Sequence, residues 1–289
     1  MGNLILYCSL FVSTVLNLES SVRFPARGFA KVLTEASAQK RLSAYRSSLL
    51  DEANGSRYHE GYSMQFQLRH MPRRGNETVK IGFLSGTFMG CGASRISLAG
   101  NTKEKSPTHY LLLNGQNPKL WKCMAGNSTA QLISLEDSLE PLVEGMNQTS
   151  FDLLMPFVFW DGKYVHSGKV AGRPAHIFAF PCPPWVNKRK PDWQSVTLAL
   201  DDAYDAPLRV EVLGKSQIAV RSLILRSFKK IGDQWIVKEI DCRDRKSRSV
   251  TRMKITSAAL GLDLDESLFL SLNLAQPIHV DPKLYLPTD

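Results

Sequence analysis

Alternation of apolar and polar residues with a period of two recurs along this chain and constrains its class more than any other feature. Tyr62, Met64, Phe66 and Leu68 alternate with Ser63, Gln65, Gln67 and Arg69, the pattern of a strand with one buried and one wet face. The turn sequence Pro72-Arg73-Arg74-Gly75-Asn76 follows, and Thr78–Phe88 returns with Val79, Ile81 and Phe83 alternating. Later in the chain, Val196, Leu198 and Leu200 alternate with Ser195, Thr197 and Ala199, and Leu208, Val210 and Val212 with Arg209 and Glu211. Thr251, Met253 and Ile255 share one face of Val250–Thr256, with Arg252 and Lys254 on the other. Ser94–Ala99, Thr108–Leu113 and Gln131–Ser134 are shorter candidates, and Ile218–Phe228 and Trp235–Cys242 form a hairpin through Lys229–Asp233. Roughly ten strands without interleaved helices predict a mainly β protein built on one large antiparallel sheet.

Two segments depart from this period. Lys31–Ala53 lacks Gly and Pro and is rich in helix formers; Val32, Ala36, Leu42, Tyr45 and Leu49 fall near helical spacing, and Asn54-Gly55 ends it. Thr149–Phe180 passes from a Ser/Asp-capped turn through the aromatic run to Trp160 into a Gly-punctuated hairpin. Its Phe, Trp, Leu and Met suit a core or an apolar cavity, and it holds little that could do chemistry. Ser134 is placed as the cap of a further short helix, with Asp137 at the capping-box position.

At 289 residues, with 43% hydrophobic and 22% charged residues, the chain can bury a large core and leave room for a pocket. Its net charge of +9 favours an acidic partner or an anionic surface. The apolar run Leu4–Leu16 is shorter than the ~20 residues of a membrane-spanning helix and is placed as part of an export signal over 1–22. One domain is expected over 23–276, followed by an irregular, proline-bearing tail over 277–289. Cys91, Cys123, Cys182 and Cys242 are widely spaced and form no C-x-x-C pair, which excludes a zinc ribbon or thioredoxin-type motif.

Catalytic and metal signatures are absent from the pattern. There is no G-x-S-x-G, and the six histidines are scattered; His176 reads as a surface or satisfied strand histidine. Gly214-Lys215-Ser216 lacks the earlier glycine of a phosphate loop and reads as a turn. Asp201, Asp202 and Asp205 read as a solvated turn before Pro207. The basic run Arg243, Arg245, Lys246, Arg248, Arg252, Lys254 has no interleaved aromatics, which argues against nucleic acid; it suits a solvated face or anionic lipid headgroups. The sequons at Asn54, Asn76, Asn127 and Asn147 are taken as coincidental.

In their order, these segments resemble the outer-membrane lipoprotein-sorting proteins, the LolA/LolB-like family of periplasmic carriers. The resemblance rests on Tyr62–Leu68 with Pro72–Gly75, on Ser150–Phe157 with Trp160, on Gly168–Phe180, and on Asp233–Ile240 through Thr251–Ile255. It implies an unclosed antiparallel barrel, or strongly curved sheet, with a helical lid. Its apolar interior would receive lipoprotein acyl chains or lipid in the periplasm, with no cofactor, metal or catalysis. Because one face of an alternating strand lines the interior, the expected ligand-binding residues are Tyr62, Met64, Phe66, Leu68, Val196, Leu198, Leu200, Met253 and Ile255, with Trp160 near the mouth. An envelope-stress sensor binding a partner protein is the alternative within the same fold, and an enzyme with an unrecognised site is the third class.

Overall fold

Strand-forming, half-wet segments joined by short turns dominate the chain, and a computed structural model shows them assembled into one sheet. It describes residues 28–50, 61–86, 93–99, 107–124 and 129–289, and the backbone of two short strands, β1 (Leu4–Leu6) and β2 (Thr14–Leu16), which pair with each other. The rest of the expected export signal, the helix end at Asn54-Gly55, Cys91 and the sequons at Asn54 and Asn127 lie outside the described residues.

The sheet is made of two runs of hairpins. The first comprises β3 (Gly61–Met71), β4 (Thr78–Gly86), β5 (Ala93–Leu98), β6 (Thr108–Leu113), β7 (Lys119–Met124) and β8 (Gln131–Ile133). The second comprises β9 (Lys163–Val170), β10 (Arg173–Pro181), β11 (Trp193–Asp201), β12 (Pro207–Gly214), β13 (Ala219–Ile231), β14 (Gln234–Asp244) and β15 (Ser249–Leu262). Antiparallel pairing of β15 with β3 joins the runs, from Val250 opposite Met71 to Leu262 opposite Gly61. With β16 (Leu286–Pro287) on β15, the sheet has fourteen strands, and β8 and β9 are its two ends. The sheet is therefore antiparallel and not closed into a barrel. Register shifts interrupt the second run, for example at Ile177/Phe178, Trp193/Ser195 and Leu225/Ser227. Bulges of this kind bend strands and increase their twist, so this half curves around its core.

A helix, α1 (Glu35–Leu50), precedes β3, and it starts later than the composition suggests. The Thr34 hydroxyl accepts the Ser37 N–H at 3.2 Å, and the Thr34 carbonyl accepts the Ala38 N–H at 2.9 Å, so Thr34 caps it. Val32 is left outside and exposed, and Ala36 faces solvent; the buried stripe is Ala38, Leu42, Tyr45 and Leu49. A second correction concerns β4. Val79, Ile81 and Phe83 are on the outer face and largely exposed, whereas Leu84 is buried. Glycine sets this arrangement: at Gly82 a Cβ would meet the Phe66 ring at 2.5 Å, so that ring lies across the cross-strand glycine. Gly86 bears the same relation to Tyr62.

Both faces carry a core. The concave face holds the main one, covered by α1, α2 (Ser150–Leu154), α3 (Pro184–Arg189) and the 3₁₀ turn Pro156–Phe159. On the convex face, Leu111 and Cys123 pack beneath Phe269 and Leu274 of the C-terminal segment. Residues 277–289 form a 3₁₀ turn, Pro282–Leu284, and β16; Thr288 Oγ1 then donates to the Ile255 carbonyl at 2.6 Å.

Candidate functional site

The nine strand residues expected to line an interior belong to a single buried apolar cluster on the concave face. Register brings them together: Phe66 lies opposite Ile255, and Leu68 opposite Met253, while Val196 and Leu198 sit between Phe180 and Phe178 on one side and Val212 and Val210 on the other. Trp160 is half-buried at the margin, its ring 6.0 Å from Phe151 and 6.0 Å from Trp185. Side chains from the covering segments fill the concavity. Leu42, Tyr45 and Leu49 come from α1, and Phe151, Leu154, Phe157 and Val158 from the aromatic run.

That run is held in shape locally. Thr149 and Asp152 form a reciprocal capping box, and Met155, in the left-handed region at φ 43°, ends α2 and redirects the chain into Pro156–Phe159. Its attachment to the sheet is polar. Arg221, buried on β13, donates through Nη2 to Asp152 Oδ2 and, at 2.5 Å, to the Asn147 carbonyl. Burial alone would lower the Arg221 pKa, but the Asp152 charge outweighs it and the net direction is upward. Burial pushes the Asp152 carboxyl up, against the pull of Arg221. The Asn147 amide bonds the carbonyls of Cys242 and Ser249 at 3.1 and 3.2 Å, and the Asn147 N–H bonds Thr251 Oγ1 at 2.8 Å. This sequon asparagine is thus an internal tie. The aromatic run is also tied to α1: Arg46 donates to the carbonyls of Val158 at 2.7 Å and Trp160 at 2.5 Å.

The other end of α1 rests on the acidic turn. Arg41 binds Asp205 Oδ1 at 2.6 Å and the Asp202 carbonyl at 2.6 Å. Asp201 departs from the solvated reading, being only 1% exposed. Its Oδ2 takes Arg173 Nε at 2.5 Å, and its Oδ1 takes the N–H groups of Ala203 and Tyr204, each at 3.0 Å. His176 is buried rather than on the surface, with Nε2 2.7 Å from Asp202 Oδ1. These acids secure a helix.

On the convex face, Arg95 is 2% exposed and has no carboxylate partner among the described residues. Its guanidinium donates to the carbonyls of Leu268 at 2.9 Å, Asn273 at 3.4 Å, Leu274 at 2.8 Å and Gln276 at 2.5 Å. The four carbonyls belong to the segment that covers the small core.

Sequence reasoning missed Arg221 and Arg95 as anchors. Arg221 had a signal, since it shares the phase of Leu223 and Leu225 on an otherwise apolar face. Arg95 had none, because both faces of β5 are covered. Among the described residues no group of three or more His, Cys, Asp or Glu could hold a metal ion, and no helix is long and apolar enough to cross a membrane. Cys182 and Cys242 are free thiols; burial pushes Cys182 up to about 11 and Cys242 higher still, so neither is a thiolate at neutral pH.

A broad open antiparallel sheet, with an apolar concave face under a helix and an aromatic loop, is the LolA-like fold of lipoprotein-sorting proteins. The chain is similar to a structure from Vibrio parahaemolyticus described as an outer membrane lipoprotein-sorting protein domain: TM-score 0.66 and 12% identity over 83% of this chain and 100% of that one. A DUF1329 family protein from Desulfovibrio piger gives a TM-score of 0.64 at 14% identity, over 84% and 100% of the two chains. A LolA superfamily protein from Nitrosomonas europaea gives 0.53 at 16% identity, over 78% and 97%. One family model, described as an uncharacterized protein family, matches residues 164–276. No curated protein matches the chain in sequence. The resemblance read from the order of the segments thus holds at the level of the fold.

Proposed function

We propose that this protein is a periplasmic carrier that shelters the acyl chains of a lipoprotein or lipid on the concave face of its sheet. The observation that carries the reading is the nature of the cover. The concave face is continuous and apolar, but its ends, β8 and β9, do not pair with each other, and it is closed by separate segments held at a few polar ties. Cargo would take the place of the α1 stripe against Tyr62, Met64, Phe66, Leu68, Val196, Leu198, Leu200, Met253 and Ile255, entering past Trp160.

The energies are commensurate. Leu42, Tyr45 and Leu49 each stabilise the covered state by roughly 1.5–3 kcal/mol, and an acyl chain gains ~0.8 kcal/mol per buried CH₂, so about six to eleven methylenes match the stripe they displace. Exchange of near-equal terms is reversible, as a carrier requires. The closed packing also buries the Gln148 amide, whose oxygen and nitrogen have no hydrogen-bond partner among the described residues, a group that opening would hydrate.

The test is uptake of a fluorescent acyl probe, together with native mass spectrometry for copurified lipid. Wild type is expected to bind the probe saturably, and Leu198→Trp to abolish uptake. If wild type neither binds the probe nor carries lipid, the carrier reading fails and a partner-binding role gains.

A further inference from the structure

The hairpin turns at one end of the sheet are strongly basic, and one of them frames a cleft. Pairing of Val250 with Met71, Asp244 with Ser249 and Arg221 with Asp244 puts the turns after β3, β12 and β14 at the same end. Those turns contribute Arg73, Arg74, Lys215, Arg245, Lys246 and Arg248, none of which has an ion-pair partner among the described residues. The opposite end has Asp202 and Asp205 in the turn after β11, Asp233 after β13, and Asp263, Asp265 and Glu266 after β15. Charge is therefore segregated along the strand direction, with unpaired basic side chains gathered at the end where the cleft opens.

The cleft has a volume of about 320 Å³ and is lined by Arg221, Arg243, Arg245, Arg248, Asp244 and Ser249, among others. Its one carboxylate is engaged: Asp244 Oδ1 accepts the Ser247 N–H at 2.7 Å and the Ser247 hydroxyl at 2.8 Å. Arg221 is more than nine-tenths buried and lines the cleft; among the described residues its hydrogen bonds all run through Nη2, and Nε has no partner. A guanidinium has five donors in a fixed fork, and unused donors beside further arginines match the several oxygens of a tetrahedral oxyanion. The geometry points to a phosphate-binding site in this cleft, with Arg245 and Arg248 closing on the anion from the turn and Arg221 behind them. Phosphate could arrive free or as the headgroup of a lipid. The site shares Arg221 with the tie to Asp152, but it needs no acyl chain and stands whether or not one is carried.

The experiment is calorimetric titration of the full chain with inorganic phosphate. The variant is Arg245→Ala/Arg248→Asn, asparagine being chosen because Arg248 occupies the left-handed region at φ 54°. The control, Lys229→Ala/Lys230→Ala, removes equal charge near the acidic end. Wild type and control are expected to bind at one site and to melt higher with phosphate, and the cleft variant to bind at least tenfold more weakly while melting normally without it. Vesicles of phosphatidylethanolamine with and without phosphatidylglycerol identify the source. Vesicle binding that needs the two arginines and is competed by phosphate assigns the site to a headgroup; phosphate binding without vesicle binding assigns it to the free anion. Absence of saturable phosphate binding by wild type, or equal weakening in variant and control, overturns the proposal.

Discussion

The two faces of this sheet are covered by similar means and with opposite electrostatics. On the concave side the aromatic segment is pinned by Arg221, whose charge meets the buried Asp152 carboxylate. On the convex side the C-terminal segment is pinned by Arg95, whose charge meets carbonyl dipoles and no carboxylate among the described residues. In each case a buried guanidinium satisfies backbone groups that neither a helix nor the sheet can satisfy. The difference lies in what happens when a tie is removed. A carboxylate partner makes the attachment all-or-none, since either charge alone is badly placed, whereas an array of carbonyls can be lost in steps. A cover that has to open as a unit suits the first arrangement, and a fixed patch suits the second.

The sharpest way to break the comparison is to strip one charge from the concave tie. Asp152→Ala leaves Arg221 buried and uncompensated and also removes the capping box; a loss of about 3–5 kcal/mol is expected. Converting the pair together, Asp152→Leu with Arg221→Met, should recover most of it, because an apolar pair of similar volume avoids desolvating two charges. Denaturant unfolding of the single and double variants reads this directly. A double variant as unstable as Asp152→Ala would mean that the pair contributes through shape and not charge.

Arg95→Met is expected to cost less, about 1–3 kcal/mol, from carbonyls left without donors in a buried setting. The loss should be local. Hydrogen exchange should quicken across residues 266–276 while α2 and the strands of the second run keep their protection. Uniform quickening over the whole sheet would show that the two covers are coupled and that the contrast between them is false.

The sheet was legible because one wet face makes a strand visible. Period two correctly grouped Tyr62, Met64, Phe66 and Leu68, and likewise Val196, Leu198 and Leu200. It fails where both faces are covered: β5 hides Arg95 on a polar face that the C-terminal segment shields from water, and β7 left no readable alternation at all. It also misleads at β4, where Val79, Ile81 and Phe83 alternate on the exposed side because Gly82 and Gly86 give the inner face to the rings of Phe66 and Tyr62. The burial of Asp201 depends on Arg173 at the start of the neighbouring strand, a pairing that composition does not carry. Period two assigns residues to a face, and it says nothing of what lies against that face. The filling of the concavity by α1 and the aromatic run was therefore beyond its reach.

The smallest expected effect concerns acidity at the concave tie. Thr251 Oγ1 accepts the Asn147 N–H at 2.8 Å and lies 2.8 Å from His70 Nδ1. One of the two lone pairs of the threonine hydroxyl is engaged by Asn147, and its O–H can be donated to His70 while Nδ1 is unprotonated, a bond open to the neutral ring. Burial acts in the same sense, holding the His70 pKa below its ordinary value of 6.5. In the interval between that lower folded value and 6.5, the unfolded chain binds more protons than the folded one, so stability rises with pH there. This contribution is complete above 6.5 and is lost as pH falls through 6.5 toward the folded value. His70→Gln, which keeps an acceptor for Thr251 and cannot titrate, should flatten this part of the stability profile relative to wild type. The measurement is thermal unfolding of both proteins across that interval. Arg95 lies outside this network, so Arg95→Met should retain the wild-type slope, and a slope lost equally in Arg95→Met and His70→Gln would remove the link between His70 and the concave cover.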